Sequence, residues 1–277
     1  MISSNSPTVI QHSALRFVLP VWTLLARELT RFYRQRSRVI GVIGSPLVFW
    51  LLIGFGLGDS FRPSAGTPGE NYLEYFYPGT IVLIVLFTAI FSTISIIEDR
   101  REGFLQSVLV APIPRSSLVL GKVLGGAVLA FLQGLIMLLL APLVGFTISI
   151  ASAVLIALIL FMIAFALTGL GFLIAWHMDS TQGFHAIMNL VLIPLWMLSG
   201  ALFPSSGAPK WLYWTMELNP LTYAVSGLRS ALYFEEINMY GLTSELITGL
   251  LVTLGFGIVT FAAAVIAARQ PIAGERT

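Results

Sequence analysis

Six apolar runs divide this chain, and none of them shows a polar stripe at helical spacing. They extend from Val39 to Gly58, Thr80 to Ile97, Val123 to Leu143, Ile148 to Trp176, Phe184 to Phe203 and Leu246 to Ala268. A helix needs roughly 20 apolar residues to cross a hydrocarbon layer of about 30 Å. The runs are too long and too uniformly apolar for the alternating strands of a barrel, which leaves six spanning helices. Before the first run the pattern changes. Val21, Trp22, Leu25, Leu29, Phe32 and Tyr33 recur three and four residues apart, with Arg27, Arg31 and Arg34 on another face. That spacing predicts an amphipathic helix over residues 14–36 lying in the membrane interface, with Pro20 in its first turn.

Two connectors also carry a pattern of their own. Residues 98–116 open with Glu98, Asp99, Arg100, Arg101 and Glu102, continue through Phe104, Leu105, Val108 and Leu109, and stop at Pro112 and Pro114. A short helix with exposed charges of both signs and an apolar patch follows, ended by prolines that cannot continue it. Residues 209–236 are aromatic and only moderately apolar, with Asn219 and Pro220 interrupting them. This predicts two short helices forming a re-entrant hairpin, with Trp211, Tyr213, Trp214 and Tyr223 at headgroup level.

Composition agrees with the spans: 57% of the 277 residues are hydrophobic and 10% charged. Soluble domains carry about 25% charged residues, so most of this surface must face lipid or protein. Charge also sets orientation, because basic residues collect on the cytoplasmic side. Twelve of the 15 Lys and Arg fall before the first run, between the second and third, or in the tail. Both termini and the 98–116 loop are therefore expected in the cytoplasm, and residues 209–236 outside. No repeat or linker divides the chain, so residues 1–277 read as one all-α membrane domain.

The chemistry the chain omits narrows its function. It has no cysteine, no His-Glu-x-x-His and no phosphate-binding loop, since Gly121-Lys122 is followed by Val123. No basic n-region precedes an apolar core at the start, so no cleaved leader is expected. No Asp, Glu, Lys or Arg falls within the six runs, which argues against a proton-coupled carrier. Gln133, Asn189 and Ser199 are the candidate polar contacts along a pathway. If such a chain moves cargo against a gradient, another polypeptide must supply the energy. In the 98–116 loop the arginines alone would serve topology, and the adjacent acids suit a surface that selects a partner.

Three segments resemble the type-2 ABC transporter permeases. One runs from Glu98 through "GFLQSVLVAPIPRSSLVLGKVLGG", the second is "LIPLWMLSGALFPSSGAPKWLYWTMELNPLTYAVSGLR" and the third is the amphipathic helix. The resemblance covers nearly the whole chain and is closest to compact drug, lipo-oligosaccharide and polysaccharide exporter permeases. It implies a homodimer or pseudo-symmetric pair of permeases served by two ATPase subunits, which would hold ATP and Mg; this chain would bind no cofactor and no nucleic acid. Glu98, Asp99, Arg100, Arg101, Glu102 and Leu105 would form the coupling helix that contacts the ATPase. Arg31 and Arg34 would give a second contact or a lipid anchor, with Arg27 on the same helix. The pathway would follow the dimer seam along spans one, two and five, with Trp211, Trp214, Asn219, Pro220, Tyr223 and Arg229 near its exit. The alternatives are an ATP-independent channel or scaffold, or an intramembrane hydrolase acting through Ser199.

Overall fold

A computed structural model gives the fold. It describes residues 8–34, 72–205, 208–233 and 243–270, with scattered helical positions between 40 and 56. In chain order the helices are α1 (Thr8–Arg34), α2 (Tyr72–Ser92), α3 (Ile94–Arg101), α4 (Phe104–Val110), α5 (Arg115–Leu138), α6 (Ala141–Val144), α7 (Ile150–Trp176), α8 (Thr181–Trp196), α9 (Lys210–Glu217), α10 (Pro220–Leu232) and α11 (Ser244–Arg269). A π turn, Met197–Ala201, continues α8. Among the described residues five helical stretches are long and apolar enough to cross a membrane: Tyr72–Arg101, Arg115–Leu138, Ile150–Trp176, Thr181–Ala201 and Ser244–Arg269. The first expected span, 39–58, lies largely outside the described residues.

Helix α2 forms the centre. Phe76, Tyr77, Ile81, Ile84, Val85, Leu86 and Ile90 are fully buried, and α5, α7 and the π turn pack around them. This helix starts eight residues before the apolar run does. Tyr72, Tyr75 and Tyr77 escaped a hydropathy reading, but their rings pack inward and their hydroxyls reach the Leu202, Gly200 and Met137 carbonyls. A buried phenol with an acceptor is satisfied, so the helix extends as far as its aromatics find partners.

Helix α5 likewise begins at Arg115 rather than near Val123, because Pro114 is extended and caps it. The earlier start brings Lys122 into the third turn of a spanning helix. Gly121 and Gly125 face α1 so closely that a Cβ would lie 2.9 Å from the Leu24 Cβ or 2.7 Å from the Glu28 Cβ. Small residues four apart let two helix backbones approach, which seats α1 on the bundle.

Helix α1 corrects one expectation. It starts at Thr8, so Pro20 lies inside it and not in its first turn. Thr23 donates to the Leu19 and Pro20 carbonyls in the turn that follows. Leu24, Glu28 and Phe32 form its buried stripe, while Val18, Leu19, Trp22 and Tyr33 are exposed. Its inward face carries a glutamate in the middle, while Trp22 and Tyr33, expected on the apolar face, lie outside it, and Arg27 and Arg31, expected on another face, turn to the buried Asp99.

At the other end of the bundle, α8 is held to α2 through its π turn. Gly200 has φ 75°, which only glycine adopts freely, and this turns its carbonyl toward the Tyr75 hydroxyl at 3.1 Å. The Trp196 indole donates to Gly79 O at 2.8 Å. A Cβ on Gly79 would lie 2.6 Å from the Ala201 Cβ and 2.9 Å from its Cα. Gly79→Ala is therefore expected to destabilise the protein by about 1–3 kcal/mol through overpacking. Thermal unfolding in detergent checks this, and an unchanged midpoint would refute the close approach.

Residues 210–232, the segment read as a hairpin, form the two short helices α9 and α10. Asn219 separates α9 from α10 by accepting from Leu221 N–H at 3.0 Å and donating to Leu195 O at 2.6 Å. Pro220 occupies the first turn of α10, where its missing N–H costs nothing.

Candidate functional site

The charged opening of the 98–116 loop does not form a free helix. Glu98 through Arg101 complete the last turn of α3, and Gly103, at φ 76°, breaks the chain before α4 begins at Phe104. The expected single helix with an exposed charged face is therefore two pieces. Gly103 was visible in the sequence, but helix propensity across its neighbours outweighed it in the reading.

The five charges are largely engaged within the chain. Asp99 has no exposed surface and sits between three cations. Arg27 grips it with two parallel bonds of 2.9 and 2.7 Å, Arg31 donates to it at 2.8 Å, and Lys122 Nζ donates to its other oxygen. Lys122 also meets Glu28 at 2.5 Å. Glu98 pairs with Arg31 at 2.8 Å, and Glu102 with Arg31 at 3.4 Å. The result is a partly buried ionic junction that joins α1, α3 and α5. Burial works most strongly against the charge of Arg27, but its bond to Asp99 and the negative charges of Asp99, Glu28 and Glu102 together outweigh this and raise its pKa. The Arg27 guanidinium also lies 3.8 Å over the Phe104 ring, which ties α4 into the same junction.

Arg100 and Arg101 serve a different purpose. Arg100 donates to Trp176 O at 2.5 Å, Met178 O at 3.1 Å and Asp179 Oδ1 at 2.9 Å, and Arg101 donates to Asp179 O at 2.8 Å. Cations suit the unpaired carbonyls at the C-terminus of α7. They lock the turn between α7 and α8 against the end of α3.

The apolar patch turns inward as well. Leu105 is buried, and Phe104, Val108 and Leu109 pack against the core. What α4 presents outward is Gln106, Ser107 and Val110, the last 87% exposed, next to Glu102 and Arg101. A groove beside them is lined by Thr23, Thr30, Arg31, Arg34 and Glu102.

Sequence reasoning missed Glu28 altogether and treated Lys122 only as a topology marker. An acid within the apolar stripe of an amphipathic helix was the available signal. Lys122 stood one residue outside the expected third span, so no intramembrane charge was expected there.

The three candidate pathway residues are not brought together. Gln133 is buried between α5 and α2, where its side chain meets the Thr88 hydroxyl. Asn189 is exposed on the outward face of α8, among Ile187, Leu190 and Ile193. Ser199 is buried and donates to Trp196 O at 2.6 Å. Of the hairpin residues, Trp211 and Trp214 are exposed, Tyr223 donates to Glu217 at 3.0 Å, and Arg229 reaches back to Gly200 O at 3.1 Å and lies 4.3 Å over the Tyr75 ring.

Five helices long and apolar enough to span a membrane, with α1 locked to their charged end, define a polytopic helical membrane protein. Residues 20–233 match the family described as ABC-2 type transporter, and the chain belongs to that family. The match takes in both the ionic junction and the hairpin. Similar proteins include the transport permease ycf38 of Cyanophora paradoxa, 28% identical over 215 residues, which are 77% of this chain and 74% of that one. The inner membrane transport permease YadH of Escherichia coli K12 is 27% identical over 75% of this chain and 80% of its own length. The daunorubicin resistance ABC transporter permease protein DrrB1 of Streptomyces coeruleorubidus is 23% identical over 76% of this chain and 74% of its own length. The chain is thus the transmembrane subunit of an ABC transporter, a type of subunit that is not itself an ATPase and works with an ABC ATPase.

Proposed function

We propose that the chain is the permease of an ATP-driven exporter that moves an amphipathic, lipid-linked or drug-like substrate out of the cytoplasm or the inner leaflet. Two copies form the pathway and two separate ATPase subunits, carrying ATP and Mg, drive it. The protein sits in a bacterial-type cytoplasmic membrane with both termini inside, which puts the ionic junction next to the ATPases and the hairpin on the outer face. The single observation carrying this reading is the junction itself, because it makes α1, the end of α3 and the start of α5 one mechanical unit next to the outward face of α4. ATP binding draws the two ATPases together. The exposed edge of α4 with Glu102 and Arg101 takes up that motion, and the junction passes it to the spanning helices.

The outward face of α8 supports the paired arrangement. Asn189 lies there among exposed apolar side chains, and an amide facing lipid is costly unless another protein surface covers it. A second copy supplies that cover along the seam. The Ser199 hydroxyl is bonded to its own helix, so nothing favours the hydrolase alternative.

Affinity purification of the tagged chain from its native membrane is expected to bring down an ABC ATPase, and transport in vesicles is expected to stop when ATP is removed. Transport that continues unchanged in ATP-depleted vesicles would leave the channel reading in its place.

A further inference from the structure

A groove of about 660 Å³ follows the flank of α1 beside the end of α3, lined by Thr23, Arg27, Thr30, Arg31, Arg34 and Glu102. Its volume falls in the range of small-molecule sites. The ionic junction at its back balances its own charges. Asp99 and Glu28 are matched by Arg27 and Lys122, and Glu98 by Arg31.

Two charges of opposite sign are left over at the groove. Arg34 is exposed and makes no ion pair among the described residues. Glu102 is 59% exposed and has only a long 3.4 Å pair with Arg31, whose closer contacts are Glu98 and Asp99, both at 2.8 Å. Arg34 follows Arg31 by three positions on the same side of α1, roughly 5 Å along the axis, so the spare cation and the spare anion are close neighbours. Between them, Thr23 and Thr30 donate to carbonyls of their own helix and offer only lone pairs to the groove.

A simple anion suits Arg34 but is repelled by Glu102, and a simple cation meets the reverse problem. A group carrying both a phosphate and an ammonium satisfies the two ends together. The acceptors distinguish one ammonium from another. A primary ammonium has three N–H donors for Glu102 and the threonine oxygens, whereas a quaternary one has none. The rest of the ligand is also specified. Val18, Leu19, Trp22 and Tyr33 are exposed on the strip of α1 next to the groove, an apolar surface suited to acyl chains at the membrane interface.

We propose that this groove is a site for phosphatidylethanolamine, with the phosphate on Arg34 and Arg31 and the ammonium on Glu102. The lipid held there is a resident of the leaflet bordering the ionic junction and fastens α1 to the membrane; it is not cargo. The proposal rests on the topology given above only for which leaflet supplies the lipid.

The test titrates the delipidated full chain in detergent with lipids of identical acyl chains and counts bound lipid by native mass spectrometry. Phosphatidylethanolamine is expected to bind about tenfold more tightly than phosphatidylcholine, which donates no hydrogen bond, and than phosphatidylglycerol, which brings no cation to Glu102. In Glu102→Gln the preference over phosphatidylcholine is expected to vanish. Arg34→Gln is expected to weaken both zwitterionic lipids by the same factor, since both carry the phosphate. Phosphatidylglycerol binding as tightly as phosphatidylethanolamine, equal binding of all three as adventitious lipid only, or a preference that survives Glu102→Gln would each overturn the proposal. Lipid lost when the ATPase binds would assign the groove to that partner and overturn it as well. The comparison among the three lipids is made on the unaltered protein, so it decides the matter if a variant does not fold. Neither ATP nor transport enters that comparison, and its failure leaves the export reading untouched.

Discussion

Asp99→Asn is expected to cost about 3 kcal/mol of folding stability, the lower end of what removing one partner from a buried ion pair costs. The substitution keeps the shape of the side chain and removes the one anion shared by Arg27, Arg31 and Lys122. The three cations do not suffer equally. The Arg27 and Arg31 side chains are 30% and 21% exposed and can turn toward water, which limits the loss. Lys122 is 3% exposed and keeps Glu28 as its one anion, with a long bond to the Ser95 hydroxyl. The second expected effect is local, because α1 loses its main polar attachment and is left with the Arg31–Glu98 and Glu28–Lys122 pairs and the Gly121 and Gly125 contacts. Thermal unfolding in detergent reads the global loss, and limited proteolysis of α1 reads the local one. In Lys122→Met, Glu28 becomes the poorly paired group, so that variant alone also destabilises the fold. With both substitutions the cost is expected to be smaller than the sum of the two, by about 1 kcal/mol or more, as for residues in one network. A single-variant cost below about 1 kcal/mol with α1 still protected would mean that packing, and not the junction, holds the helix.

The architecture was legible where hydropathy and turn chemistry point the same way. Spans four and six end within a few residues of their apolar runs, the hairpin breaks at Asn219-Pro220, and Pro112 and Pro114 end the loop helix. The misjudged boundaries share one cause. Tyr72 to Gly79 and Arg115 to Lys122 are helical because buried partners accept their polar groups, and a one-dimensional pattern contains no partners. The same cause explains the charged loop. In sequence, Glu98 to Glu102 look like five solvated charges. In three dimensions Asp99 is buried, because Arg27, 72 positions away, and Lys122, 23 positions away, converge on it. The acids were read as a surface for a separate partner, but Asp99 and Glu98 meet cations on helices of the same chain. The residues left facing outward are Arg101, Glu102, Gln106, Ser107 and Val110, with Pro112 and Pro114 after them.

Val110→Glu follows from that remainder and is expected to abolish most coupled transport while leaving the permease folded. Val110 is 87% exposed at the end of α4, so a glutamate there costs the isolated chain almost nothing. If α4 docks on the ATPase as proposed, the same position is buried in the complex. Full burial of a valine contributes about 1.5–3 kcal/mol, and a carboxylate in its place must also be desolvated without a partner. A loss of about 3 kcal/mol lowers the association constant by more than about a hundredfold. Glu102→Lys, at the 59% exposed position beside it, should act more weakly, since an exposed pair contributes about 0–1 kcal/mol. Reversal of Glu98 is a poorer probe, because it breaks the pair with Arg31 and disturbs the permease itself. The measurements are ATPase co-purification, nucleotide hydrolysis by the assembled complex, and transport in vesicles, with the unfolding midpoint of the variant as the control for folding. Full transport by Val110→Glu at an unchanged midpoint would move the ATPase contact away from α4, toward the groove that Arg31 and Arg34 of α1 form with Glu102.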